Sequence, residues 1–142
     1  MVHRDADSAG HVAREQETAK AVIGAAASAP VVPVIPVRMT EAWLLLDEAA
    51  IRRVAGNPNG RARLGLPKPH EVESVADPKH LLRQCLLTAA DCTGRRREQV
   101  GKRFDEHRRN LLQRLDPQGP VTKLASWQRL TDAVAAAAEL MA

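Results

Sequence analysis

Asp5 and Asp7 stand two positions apart, just past a short apolar-to-acidic opening segment, Val2-His3-Arg4-Asp5. Two carboxylates at this spacing converge on one point once the chain turns, and hard oxygen ligands of that kind suit Mg²⁺ or Mn²⁺. A metal held there can polarise a phosphoryl oxygen and orient a water for in-line attack. In an open parallel sheet ligands bind at the carboxyl ends of strands, which is where this pair would lie. The other reading is turn formation and helix capping by two aspartates. His3 shares a strand face with Asp5, so it is placed to act behind the pair as a proton shuttle. The second chemical feature is cationic. Residues 95–114 hold eight basic side chains (Arg95, Arg96, Arg97, Lys102, Arg103, Arg108, Arg109 and Arg114) against three acidic ones. Such a stretch attracts phosphate backbones through counterion release. The alternative for it is a solvated helix face.

The elements that must position these groups follow from the periodicity. A strand ends near residue 5. Residues 11–28 form an Ala-rich amphipathic helix with Val12, Ala19, Val22 and Ile23 on one face, fraying between Gly24 and Pro30. Residues 31–37, Val-Val-Pro-Val-Ile-Pro-Val, have strand composition, but the two prolines each remove a donor and confine the segment to an edge. Thr40 is placed to cap a helix over 41–55, ended by Gly56 and Asn57-Pro58-Asn59-Gly60. Residues 56–76 read as a Gly/Pro/Asn-rich linker with Leu64, Leu66, Val72 and Val75 as anchors. Asp77-Pro78 starts a helix through Leu81, Leu82, Cys85, Leu86 and Ala89. A basic helix over 95–115 and a last helix over 121–141 follow, separated by Asp116-Pro117-Gln118-Gly119-Pro120.

Composition narrows the classes. At 142 residues there is room for one domain. Trp43, Phe104 and Trp127 are the only aromatics, so the core rests on aliphatic side chains and an aromatic platform for single-stranded nucleic acid is nearly excluded. Two cysteines, Cys85 and Cys92, fit reduced thiols rather than a disulfide framework or zinc site. No apolar run is long enough to span a membrane and no signal-peptide pattern opens the chain, so a cytoplasmic protein without a membrane partner is expected. The net charge of +4 is uneven: residues 1–60 carry −1 and residues 61–142 carry +5.

Three blocks, His3-Arg4-Asp5-Ala6-Asp7-Ser8-Ala9-Gly10, Val34-Ile35-Pro36-Val37-Arg38-Met39-Thr40-Glu41-Ala42-Trp43-Leu44-Leu45-Leu46-Asp47 and Asp77-Pro78-Lys79, resemble a bacterial family of uncharacterised Toprim-like proteins. Relatives of that family include nuclease components of phage-defence systems. The resemblance spans roughly residues 1–90, with Glu-Ala-Trp-Leu-Leu as its most distinctive part. It implies an α/β fold, mostly helical here, with a partial parallel sheet of about two strands and C-terminal helices. Residues 1–56 would be the C-terminal part of the Toprim-like core, 57–76 a Pro/Gly-rich loop, and 77–142 a helical extension packed on that core.

The same resemblance implies Asp5 and Asp7 as ligands for Mg²⁺ or Mn²⁺, with Glu41 as a further ligand or outer base. Arg38 and Lys79 fall in the matching blocks, where either can neutralise a phosphate or serve as ordinary surface charge. Substrate phosphate would then lie among Arg38, Lys79 and the cations Arg95, Arg96, Arg97, Lys102 and Arg103. The Glu that Toprim domains carry on an earlier strand has no counterpart ahead of Met1, so the resemblance implies a missing N-terminal segment or a partner chain that completes the sheet. The expected activity is metal-dependent phosphodiester hydrolysis, or its remnant, in a phage-defence or mobile-element setting. The competing expectation is a non-catalytic helical protein that binds nucleic acid or a partner.

Overall fold

The structure, a computed structural model, describes residues 2–3, 12–13, 16–17, 19–20, 33–34 and 40–141. Two strands, β1 (Val2–His3) and β2 (Pro33–Val34), pair in parallel with Val2 opposite Pro33 and His3 opposite Val34. Six α-helices follow: α1 (Glu41–Leu44), α2 (Glu48–Val54), α3 (Pro78–Ala90), α4 (Gly94–Lys102), α5 (Phe104–Gln113) and α6 (Ala125–Met141). Short 3-10 turns at Val72–Ser74 and Pro120–Lys123 join them.

This architecture corrects the expected α/β fold. Among the described residues, extended pairing is confined to that ladder of two residues per strand, which is too short to form a sheet layer. The core is instead built by helix on helix. Ile51 on α2, Leu82, Cys85, Leu86 and Ala89 on α3, and Phe104 and Leu111 on α5 are all buried and form one cluster with Leu44 and Leu45. Leu82, Cys85, Leu86 and Ala89 recur at the spacing of three and four that puts them on one helical face, so α3 can serve as the central element. A helical core needs no sheet to cover, and Pro33 within β2 has no N–H to give the ladder.

The helix boundaries have local causes. The single helix expected over 41–55 is two. The chain turns at Leu45 to Asp47, and Asp47 caps α2 by accepting from Ala50 N at 2.8 Å. Asp77 caps α3 in the same way through His80 N at 2.8 Å, with Pro78 in the first turn as the sequence predicts. The basic helix expected over 95–115 breaks at Arg103 (φ −90°, ψ 18°) into α4 and α5. Residues 56–76 are irregular but packed: Leu64 and Val72 are buried, and Asn57 Nδ2 donates to Ala89 O at 3.0 Å.

Candidate nucleic-acid interface

The Glu-Ala-Trp block is held from both sides by residues far along the chain. Glu41 is buried, and Arg108 on α5 donates from Nε to its Oε1 at 2.6 Å. Arg108 Nη2 donates to Thr40 Oγ1 at 2.9 Å, so the threonine expected to cap the helix accepts a guanidinium proton instead and makes no side-chain cap. Trp43 is buried and donates from Nε1 to Ser126 Oγ at 3.0 Å; Ser126 Oγ in turn donates to Glu73 Oε1. Trp127 meets Trp43 edge to face, with centroids 5.2 Å apart. The block thus joins α1 to α5 and α6.

Glu41 is therefore an ion-pair partner in this geometry. Asp5, Asp7 and Arg38, expected beside it, lie outside the described residues. Among the described residues no group of three or more His, Cys, Asp or Glu side chains is arranged to hold a metal ion. Lys79 is exposed in the first turn of α3. It lies one turn before Arg83, whose guanidinium reaches Gly101 O next to Lys102.

Half of the cations in the basic stretch, Arg95, Arg96, Arg97 and Lys102, are presented by α4. None of the residues of α4 is buried. It is held on α3 by two arginines: Arg97 Nη1 donates to Leu87 O at 3.2 Å, and Arg83 Nη2 donates to Gly101 O at 2.8 Å. The Arg83 guanidinium also lies over the Phe104 ring, 5.5 Å from its centroid. The remaining cations face water. Arg95, Arg96 and Lys102 are exposed and make no hydrogen bond or ion pair among the described residues. Arg95 and Lys102 are seven positions apart, two turns along one face.

Arg96, seven positions before Arg103, lies on the neighbouring face. Arg96, Gln99 and Arg103 line a cleft of about 230 Å³ closed by the end of α2 and by His107. Arg103 is paired there with Glu106 by two bonds, Nε to Oε2 at 2.8 Å and Nη2 to Oε1 at 2.6 Å. The hydrogen bond from Arg103 holds the Glu106 carboxyl below the usual range, and burial pushes the His107 imidazole down, helped by the nearby Arg103 charge. Glu98 is the one acidic residue within α4, against Arg95, Arg96, Arg97 and Lys102.

Sequence reasoning located the α4 cations but missed Arg108 as the partner of Glu41 and Glu73–Ser126 as the support of Trp43. A pairing across 67 positions leaves no periodic trace in a single sequence. Among the described residues no helix is long and apolar enough to cross a membrane. No family model, curated protein or solved structure matches the chain, so the chemistry of this face is what its own geometry supplies.

Proposed function

We propose that this chain is a helical module that binds the phosphate backbone of nucleic acid through the exposed face of α4. The observation that carries this reading is the state of Arg95, Arg96 and Lys102: exposed, without a hydrogen bond or ion pair among the described residues, and mounted on a helix that buries none of its own residues. A solvated helix face ordinarily balances its charge with partners three or four positions away. Within α4 Glu98 is the one carboxylate, against four cations. The scarcity of aromatics favours contact with the backbone over stacking on bases. Arg108 engages Glu41 Oε1, and Asp5 and Asp7 lie outside the described residues, so the reading rests on the α4 cations and not on a metal site.

The test is fluorescence anisotropy of a labelled duplex over a range of salt concentrations. The expected result is affinity that falls steeply with salt, with a slope that shallows by about 0.9 for each phosphate contact removed. Replacing Arg95, Arg96 and Lys102 by alanine should weaken binding by at least about tenfold while leaving the far-UV spectrum unchanged. Binding that ignores these substitutions, or no binding at low salt, overturns the proposal.

A further inference from the structure

A second cationic cleft lies away from α4, and the proposed role of α4 does not use it. Its volume is about 550 Å³, and Arg52, Arg61, Arg63, Glu48 and Gly65 are among the residues that line it. Arg52 forms its fixed part. This side chain is only 10% exposed, and its position is set by Glu48 Oε1, which accepts from Nε at 3.0 Å, and by Ala62 O, which accepts from Nη2 at 2.6 Å. Arg52 Nη1 is buried with no hydrogen-bond partner. Nη1 itself is closed off from the cleft, so Arg52 contributes a fixed positive charge behind the rim and not an open hydrogen-bond donor.

Arg61 and Arg63 supply the rim. Both are exposed and make no hydrogen bond or ion pair among the described residues. Their backbone is nevertheless anchored. Ala62 O is taken by Arg52, and Leu64, buried in the core, offers its carbonyl to Cys85 Sγ at 3.4 Å. Gly65 follows at φ +68°, a left-handed conformation that lets the chain turn away immediately after Leu64. The two rim arginines therefore start from fixed Cα positions, which lowers the entropic cost of closing them on a ligand.

We infer that this cleft is a binding site for a phosphomonoester dianion, gripped by Arg61 and Arg63 over the fixed charge of Arg52. Three guanidinium groups against the single carboxylate of Glu48 leave a charge of +2, which a phosphate dianion neutralises and a single carboxylate does not. Guanidinium forks match the oxygen spacing of phosphate and bind it in a bidentate way. The phosphate can belong to a small free ligand or to the end of a nucleic-acid strand.

The experiment uses the full chain with Arg95, Arg96 and Lys102 replaced by alanine, so that the contacts proposed for α4 are removed. The melting temperature is measured in sodium phosphate and in sodium chloride at equal ionic strength. Phosphate at millimolar concentration should raise the melting temperature where chloride does not. The further changes Arg61→Ala and Arg63→Ala, both at exposed positions, should weaken phosphate binding by at least about tenfold while leaving the melting temperature in chloride unchanged. A short oligonucleotide that binds more tightly with a terminal phosphate than with a terminal hydroxyl, and more tightly than inorganic phosphate, identifies a strand end as the source. Equal affinity of inorganic phosphate and the phosphorylated end identifies a small free ligand. No phosphate-specific shift, or a shift that survives loss of Arg61 and Arg63, overturns the site, whatever the outcome at α4.

Discussion

Arg108 on α5 donates from Nε to Glu41 Oε1 at 2.6 Å, closing a separation of 67 residues with an ion pair whose carboxylate is buried and whose guanidinium is about one-third exposed. The pair sits where α1 meets α5, and the second bond from Arg108 to Thr40 fixes the guanidinium plane. Removing the arginine would leave the carboxylate without its ion-pair partner, in a place that water barely reaches. Arg108→Met should therefore cost about 2–4 kcal/mol of folding free energy, less than a fully buried pair because one partner is partly solvated. Glu41→Gln should cost less, and the double variant should lose clearly less than the two single losses added together. Urea denaturation of the four proteins measures the coupling. Strict additivity would show that the pair is incidental to the fold.

The Trp43–Ser126–Glu73 chain makes a second, independent demand. Ser126 Oγ accepts from the Trp43 indole and donates to Glu73, and its backbone N–H also reaches Glu73 Oε1 at 3.2 Å. Ser126→Ala removes the hydroxyl from both neighbours and leaves the buried indole N–H without an acceptor. A loss of about 1–3 kcal/mol is expected by chemical denaturation. The near-ultraviolet dichroism of the perpendicular Trp43–Trp127 pair should weaken with it. Ser126→Thr keeps the hydroxyl, so it should retain the bonds if the extra methyl can be accommodated.

What could be read from sequence divides along physical lines. Local chemistry was legible: Asp77-Pro78 starts α3, Leu82, Cys85, Leu86 and Ala89 mark its buried face, and the density of cations in 95–114 marks an exposed surface. Competition between local and distant partners was not. Thr40 looks like a cap, yet its hydroxyl is committed to Arg108. Asp47 cuts the helix expected over 41–55 because its carboxylate satisfies the first turn of a new one. The run Val31 to Val37 has strand composition, but composition alone cannot specify the neighbours that would make it a sheet. Arg52, Arg61 and Arg63 carry no sequence signal because their meeting depends on the path of an irregular segment, not on periodicity.

Cys85 and Cys92 should differ in reactivity despite lying seven positions apart. Burial pushes the Cys85 thiol up to about 11, with the nearby Glu48 charge acting in the same direction, and its Sγ already donates to Leu64 O. The nucleophile is the thiolate, so Cys85 is inert at neutral pH in the folded chain. Cys92 is half-buried, beyond the end of α3. A thiol reagent at neutral pH should label Cys92 first, and Cys85 only at the rate of unfolding. Mass spectrometry of digests read against time distinguishes the two; equal labelling rates would show that the α3 core opens far more readily than its packing implies.

His107 gives the fold an acid-side weakness. Its ring is buried on α5, with Arg103 and Glu106 beside it on the same stretch and Arg96 lining the same cleft from α4. Burial and the Arg103 charge lower its pKa from the ordinary 6.5, while Glu106 partly opposes them. The unfolded chain therefore binds the proton more readily than the folded one in the interval between the two pKa values. Stability contributed by the neutral ring is fully present above the unfolded value, falls as pH drops through that interval, and stops falling below the folded value. Denaturation midpoints measured from about pH 8 down to about pH 5 should decline with a component that His107→Leu abolishes. At neutral pH that variant should be as stable as the parent or slightly more so, because it also removes the buried Nε2 that has no hydrogen-bond partner. A midpoint that falls equally in both proteins would assign the acid sensitivity to other groups and leave His107 as a packing residue.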